Sequence, residues 1–364
     1  MPQPSFKSIL LNEIKLFFHV KETDRPWHLA FLAAISIGIP LLVGVYFDNM
    51  KMGLLASVPG LVVLYVPSSN SLITRMATML ICSFGFMFCY TLGLFFNGNF
   101  LISTLFLGIF SVVIHWVNLY VRTKPPGSFF FILLAALSSN MPHNLKEIPE
   151  RVGLIAMGTM LSCCLALAYS ILIKKKSTKH EPNLMSSLLE RNSYQDLVEA
   201  FIVGGFMFGA MLIGHILQLQ NPYWVPISCL AVMQGVSLYH VWRRVIYRIT
   251  GTFLGLGLCW IILSLVKTPL SICLVIIIFQ FIIEVLVVRN YAFAVIFITP
   301  MTILLAEAAS PSIHKPDVLI LARFIDISIG SLLGAIGGWF LYNEKMRFYT
   351  ASTIRKARWV IKKR

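Results

Sequence analysis

The sequence predicts an all-α polytopic membrane protein, with about twelve transmembrane helices arranged as two parallel six-helix repeats. Three observations carry this expectation. The 364 residues are 57% hydrophobic and only 12% charged, with a mean hydropathy of +0.80; a soluble domain has about half apolar and about a quarter charged residues. The apolar residues form successive runs, and a run of about 20 residues crosses a bilayer. The runs fall into two sets of six around a polar centre. A soluble enzyme, a secreted disulfide scaffold and a simple DNA-binding domain do not fit this pattern.

The first six runs lie near 28–47, 51–67, 73–96, 100–120, 127–141 and 151–173. A polar stretch from Lys174 to Asp196 follows, opening on Lys174-Lys175-Lys176. The second six lie near 199–219, 223–239, 245–266, 270–288, 290–309 and 319–342. The expected organisation is an amphipathic N-terminal segment (1–26), a first repeat (27–173), a cytoplasmic loop (174–198), a second repeat (199–342) and a basic tail (343–364). In 5–20, Phe6, Ile9, Leu10, Ile14, Phe17 and Phe18 recur at helical spacing, and the tail sets eight basic residues among Phe348, Tyr349 and Trp359. Both segments read as helices lying on an anionic lipid surface. Lys7, Glu13, Lys15, Lys21 and Asp24 interrupt the start of the chain, so no signal peptide is expected.

The net charge of +15 is a topology signal rather than a nucleic-acid footprint. With the N-terminus cytoplasmic, 24 of the 30 Lys and Arg residues fall on cytoplasmic segments. Only Lys51, Lys146, Arg151, Lys267, Lys315 and Arg323 remain on the opposite side. Positive residues favour the inside, so both termini are expected in the cytoplasm. The seven Cys all lie inside apolar runs without metal-ligand spacing and read as small hydrophobes. GxxxxGK[ST] is absent, as are a Ser/His/Asp arrangement and a metal site, so neither an ATP-driven pump, an enzyme nor a cofactor is expected.

An internal duplication is legible in the arginines. Arg151-x6-Gly158 recurs as Arg323-x6-Gly330, 172 residues later, and Arg75 and Arg248 each open the third run of their half. The second run of each half is short and broken, by Pro59-Gly60 and by Pro226, and the eleventh contains Pro300. Broken helices at corresponding places in two halves point to a binding site between them. A simple proline kink is the alternative at any single position.

The second half contains Tyr223-Trp224-Val225-Pro226, Gln234-Gly235, Arg243-Arg244-x3-Arg248-Ile249-Thr250-Gly251, Asn290-Tyr291-Ala292-Phe293 through Thr299-Pro300, and Arg323-Phe324-Ile325-Asp326-x3-Gly330-Ser331. Together and in this order these segments resemble the FUSC (fusaric acid resistance) family of aromatic acid exporters. The resemblance implies a bacterial inner-membrane protein that exports aromatic or related organic carboxylates, with a periplasmic adaptor as a common partner. Homo-oligomerisation is a further expectation. The larger members carry a soluble cytoplasmic domain that the central loop here is too short to supply. Plant malate channels look like distant relatives, which keeps a passive anion channel as an alternative; a non-transporting structural membrane protein is another.

An exporter of aromatic anions needs a cation for the carboxylate and a flat apolar surface for the ring. Arg323 and Arg248 suit the first requirement, because a guanidinium matches a carboxylate in two hydrogen bonds. Trp224 and Tyr223 suit the second, Tyr291 is a further substrate-binding candidate, and Gln234 adds a hydrogen-bonding group; belt residues and helix–helix contacts are the plainer readings. Asp326 lies one turn beyond Arg323 and can pair with it. Substrate competing for Arg323 would then leave Asp326 to take a proton, unless the pair is a static anchor. Glu284, with Arg289 or the 243–248 cluster as expected partners, is the second candidate for proton coupling, since intramembrane carboxylates are usually functional. His115 and His215 read as helix–helix hydrogen-bonding residues with a titratable ring.

Overall fold

The computed structural model describes residues 18–23, 25–67, 71–123, 125–142, 144–172, 193–309 and 316–343. Among them the chain is all-helical, with no strand. Most of the expected N-terminal helix at 5–20, the loop from 174 and the basic tail lie outside the described residues. Among the described residues twelve α-helices run between Trp27 and Tyr342. In the first half these are α1 (Trp27–Tyr46), α2 (Met50–Ser57), α3 (Leu72–Phe95), α4 (Phe100–Val121), α5 (Phe129–Ser138) and α6 (Ile148–Leu172). The second half has α7 (Ser193–Ile216), α8 (Trp224–Met233), α9 (Leu238–Leu265), α10 (Pro269–Leu286), α11 (Tyr291–Ala309) and α12 (Pro316–Tyr342). A 3-10 segment, Val58–Tyr65, continues α2. α7 starts at Ser193, inside the stretch expected to be loop, with Asp196 in its first turn, where the helix dipole favours an acid.

Eight of these helices are long and apolar enough to cross a membrane; α2 with its 3-10 extension, α5, α8 and α11 are shorter apolar helices. Local sequence explains their lengths. Pro59 and Gly60 turn α2 into the tighter 3-10 form, Pro125-Pro126-Gly127 delays α5, and α8 stops at Gln234-Gly235. Pro226 is harmless in the first turn of α8, where its missing N–H would have had no helical partner. Elsewhere the starts are capped: side chains of Asn49, Ser71, Asn99, Ser237 and Thr268 accept from the first-turn amides of α2, α3, α4, α9 and α10.

Two prolines sit inside helices, Pro40 in α1 and Pro300 in α11. Each removes the donor for the carbonyl four residues earlier, which is Ser36 in α1 and Ile296 in α11. Both carbonyls face a glycine of a neighbouring segment. A Cβ on Gly60 would lie 2.7 Å from the Ser36 oxygen, and one on Gly255 would lie 2.6 Å from the Ile296 oxygen. Only a residue without a side chain lets another backbone come that close to a freed carbonyl.

Packing pairs correspond between the halves. α3 packs on α5 and α6, as α9 packs on α11 and α12; α2 packs on α6, as α8 packs on α12. Gly158 of α6 abuts Ala56 and Pro59, while Gly330 of α12 abuts Val225 and Ser228 of α8. Two long seams join the halves: α1 lies along α10, and α4 lies along α7. At the first seam Gly38 meets Ile277, and at the second Gly108 meets Phe208. The second and fifth helices of each half also cross over, α2 against α11 and α5 against α8.

The α8–α12 contact yields the first prediction. Gly330→Leu forces a side chain into the Val225 carbonyl and Ser228, an overpacking that costs about 1–3 kcal/mol or more. Thermal unfolding in detergent should show a clear drop in midpoint. Gly257→Leu, at a glycine with nothing within 4 Å, should leave the midpoint unchanged.

Candidate functional site

The short helices surround a cavity of about 2020 Å³ between the two halves. Its wall takes residues from α2, α5, α8 and α11, completed by α1, α3, α6, α9, α10, α12 and Val121 at the end of α4; α7 contributes none. Of the residues proposed from sequence, Trp224, Gln234, Arg248, Tyr291, Arg323 and Glu284 all reach this wall. Asp326 is buried but does not line it.

The geometry is built on α8. Trp224, Ser228 and Ala231 succeed one another at i, i+4 and i+7, so they share one face. Each meets an arginine. The Arg323 guanidinium carbon lies 3.3 Å from the centroid of the Trp224 ring, an intimate cation–π contact, and its Nη2 donates to Thr302 Oγ1 at 3.0 Å. Arg248 donates from Nη2 to Ser228 Oγ at 3.2 Å and from Nη1 to Tyr291 Oη at 2.9 Å. Arg244 donates to the Ala231 carbonyl at 2.8 Å and stacks over the Tyr291 ring at 5.1 Å.

Arg323 and Arg248 are only 6% and 7% exposed. Buried Nε and Nη1 of Arg323 and Nε of Arg248 have no hydrogen-bond partner. Neither guanidinium has a carboxylate within ion-pair distance among the described residues. Two desolvated cations with spare donors beside flat aromatic rings can grip a carboxylate and hold an attached ring. In the first half the counterpart of Arg323 is already satisfied: Arg151 donates to Glu147 Oε2 at 2.8 Å and to the Pro142 carbonyl at 2.9 Å.

The partners of the acidic residues differ from those expected. Arg323 does not pair with Asp326, because the Trp224 ring and the Thr302 hydroxyl draw its side chain towards α8 and α11; Asp326 Oδ1 is left without a partner. Glu284 meets neither Arg289 nor the arginines at 243–248. Its Oε2 takes Arg25 Nη2 at 3.1 Å, and its Oε1 takes Gln280 Nε2 at 3.1 Å. The segment before α1 is placed for this by Lys21, whose N–H donates to the Arg289 carbonyl, and by Asn290, whose Nδ2 donates to the His19 carbonyl. Gln234 Nε2 donates to the Pro126 carbonyl at 3.3 Å, bridging the halves.

Arg25, Thr302 and the first-half Arg75 and Arg151 line the cavity but were not proposed as site residues, nor was Ser228, which is buried behind the wall as a partner of Arg248. Arg75 and Arg151 had a usable signal, since they repeat Arg248 and Arg323. Arg25, 259 residues from its partner, had none. Among the described residues no cluster of His, Cys, Asp or Glu could hold a metal ion.

Comparison with known proteins bears out the resemblance read from the second-half motifs. Residues 209–337 match the model of the family described as "Fusaric acid resistance protein-like". Over 148 residues the chain is 31% identical to a protein of Bacillus subtilis (strain 168) named "Uncharacterized membrane protein YvaC". That match covers 41% of this chain and 23% of the relative, so the chain spans about a quarter of the curated relative's length. No solved structure matches. With its apolar helices, the chain is a multi-pass membrane protein.

The Arg25–Glu284 clasp is directly testable. Glu284 is 6% exposed, so Arg25→Ala strands a buried carboxylate. Removing one partner of a buried pair costs about 3–5 kcal/mol, and the 26% exposure of Arg25 puts this case at the low end. Unfolding in detergent should show that loss, and Arg25→Ala with Glu284→Gln should recover much of it.

Proposed function

We propose that this chain is a secondary transporter of organic carboxylates, aromatic ones foremost, exporting them across a bacterial inner membrane at the expense of the proton gradient. The observation that carries this reading is the pair of buried arginines on the cavity wall, Arg248 and Arg323, with unused N–H groups beside Trp224 and Tyr291. Arg323 takes the carboxylate, and the indole and phenol rings flank the aromatic body. Arg248 and then Arg244 offer the anion its next positions along α8. Asp326, whose charge is felt at Arg323, is the proton carrier. Once a substrate carboxylate shares the guanidinium, the anion at Asp326 loses stabilisation and takes a proton.

The reading includes twelve spans in two parallel six-helix repeats with both termini cytoplasmic. It is supported by the corresponding packing pairs, by glycines used at corresponding contacts, and by the placing of all four short helices around the cavity. Short or broken helices at a repeat interface are where transporters bind substrate. A passive anion channel is the second reading. It is favoured by two details: Glu284 is already clasped by Arg25, and Asp326 stands off the cavity wall.

Flux of labelled aromatic acids into proteoliposomes, with and without an imposed pH gradient, separates these readings. A charged hydrogen bond contributes about 1.5–3 kcal/mol, so Arg323→Ala and Arg248→Ala should each lower flux about tenfold to a hundredfold at near-normal abundance. Lost abundance with unchanged specific flux would instead make them structural. Asp326→Asn should remove the dependence on the pH gradient; a retained dependence excludes Asp326 as the carrier, and flux with no such dependence in the wild type favours the channel.

A further inference from the structure

The two seams between the halves carry ion pairs at equivalent positions. Ile277 of α10 and Gly108 of α4, the crossing residues of the two seams, are 169 residues apart, and so are Glu284 and His115. Along α1 and α10, Glu284 is held by Arg25 at 3.1 Å. Along α4 and α7, His115 Nε2 lies 3.5 Å from Glu199 Oε1. The first pair is permanent, because arginine keeps its charge at any physiological pH. The second exists as an ion pair only when the imidazole is protonated.

The hydrogen bonds around His115 fit a ring awaiting that proton. Its Nδ1 is 2.9 Å from Ser128 Oγ, the residue at the start of α5. Its Nε2 is buried and makes no hydrogen bond, although the Glu199 carboxylate is adjacent. In a neutral ring whose Nδ1–H is given to Ser128, Nε2 is a bare acceptor facing another acceptor. One proton on Nε2 turns that opposition into a charge-assisted hydrogen bond. Around His115, α7 contributes Glu199 and, one turn earlier, Asp196. α5 has no ionisable residue, and α3 carries Arg75, on the cavity side, with Cys82, Cys89 and Tyr90. On α4 itself the other titratable group is Tyr120, followed by the cap residue Arg122.

We propose that His115 and Glu199 form a proton-binding site outside the substrate cavity, and that its occupancy sets how tightly the two halves close along α4 and α7. The clasped α1–α10 seam is the hinge, and the α4–α7 seam is the one that opens. Neither His115 nor Glu199 lines the cavity, so the proton acts through packing rather than by touching substrate. The seam can transmit it: Gly204 and Gly108 let the backbones of α7 and α4 approach so closely that a Cβ on Gly204 would lie 2.7 Å from the Gly108 carbonyl. The movement of the halves rests on the transporter reading given above; the proton site itself does not.

The test uses the full chain in detergent, with thermal unfolding followed between about pH 5.5 and 8, where imidazole titrates. The wild-type midpoint should fall as the pH rises, because the pair is present when His115 is protonated and lost when it is not. A shift of about 2 °C or more is expected. His115→Gln and Glu199→Gln should each abolish that part of the pH dependence, and His115→Lys should keep the acid-side stability throughout. If the dependence persists in both Gln variants, the proposal is overturned. Carboxylate flux against pH in His115→Lys supplies the second readout: a profile like that of the wild type overturns the seam as a regulator. Absence of any flux in the wild type would sink the transport reading and leave the thermal result standing.

Discussion

A guanidinium group neither gives up its proton nor tolerates hydrocarbon, so burying two without carboxylates constrains everything around them. Arg248 and Arg323 are held by hydroxyls and an indole face, and each keeps N–H groups unspent. The surrounding architecture reads as the means of supplying those partners. Gly330, two turns after Arg323 on the same face of α12, brings that helix against α8, and this closeness sets the guanidinium on Trp224. Gly251, one turn after Arg248, does the same for α9 against α11, where Tyr291 begins the helix and accepts the hydrogen bond. An arginine followed on the same face by a glycine, seven residues on in α12 and three in α9, is therefore a structural unit, in which the glycine sets the approach and the arginine uses it.

The halves use this unit unequally. Arg151 stands where Arg323 stands in the other half, yet Glu147 sits one turn before it and neutralises it. At these matching positions the second half thus carries a cation without a carboxylate and the first half a neutralised one. Such asymmetry gives an anion a preferred wall. It also concentrates the chemistry on α8, whose ten residues present three successive turns to three arginines.

Much of this was legible in the sequence, because hydrophobic runs, prolines and charges report directly on a bilayer environment. The helix positions followed from the apolar runs, and the two broken second helices, α2 and α8, both line the cavity. The arginine repeat picked out two residues that line the cavity. What spacing could not supply was the direction of side chains. Arg323 and Asp326 are a turn apart, which permits a pair, but Trp224 and Thr302 on other helices decide the rotamer. Glu284 likewise found Arg25 from the far end of the chain rather than an arginine near it in sequence. Partners that come from separate elements are a property of the assembled bundle, and one sequence carries no direct trace of them.

The two seams have a consequence for how such a chain is able to evolve. The first half brings the hollows, Gly38 and Gly108, and the cationic side chains, Arg25 and His115. Its counterpart sets Phe208 and Ile277 against those glycines, turns Gly204 towards Val112, and brings the acids, Glu199 and Glu284. Two copies of the first half would lack both carboxylates at such seams, and two copies of the second half would set acid against acid. At these seams each bundle is complementary to the other rather than to itself. Carrying both on one chain fixes their ratio at one to one.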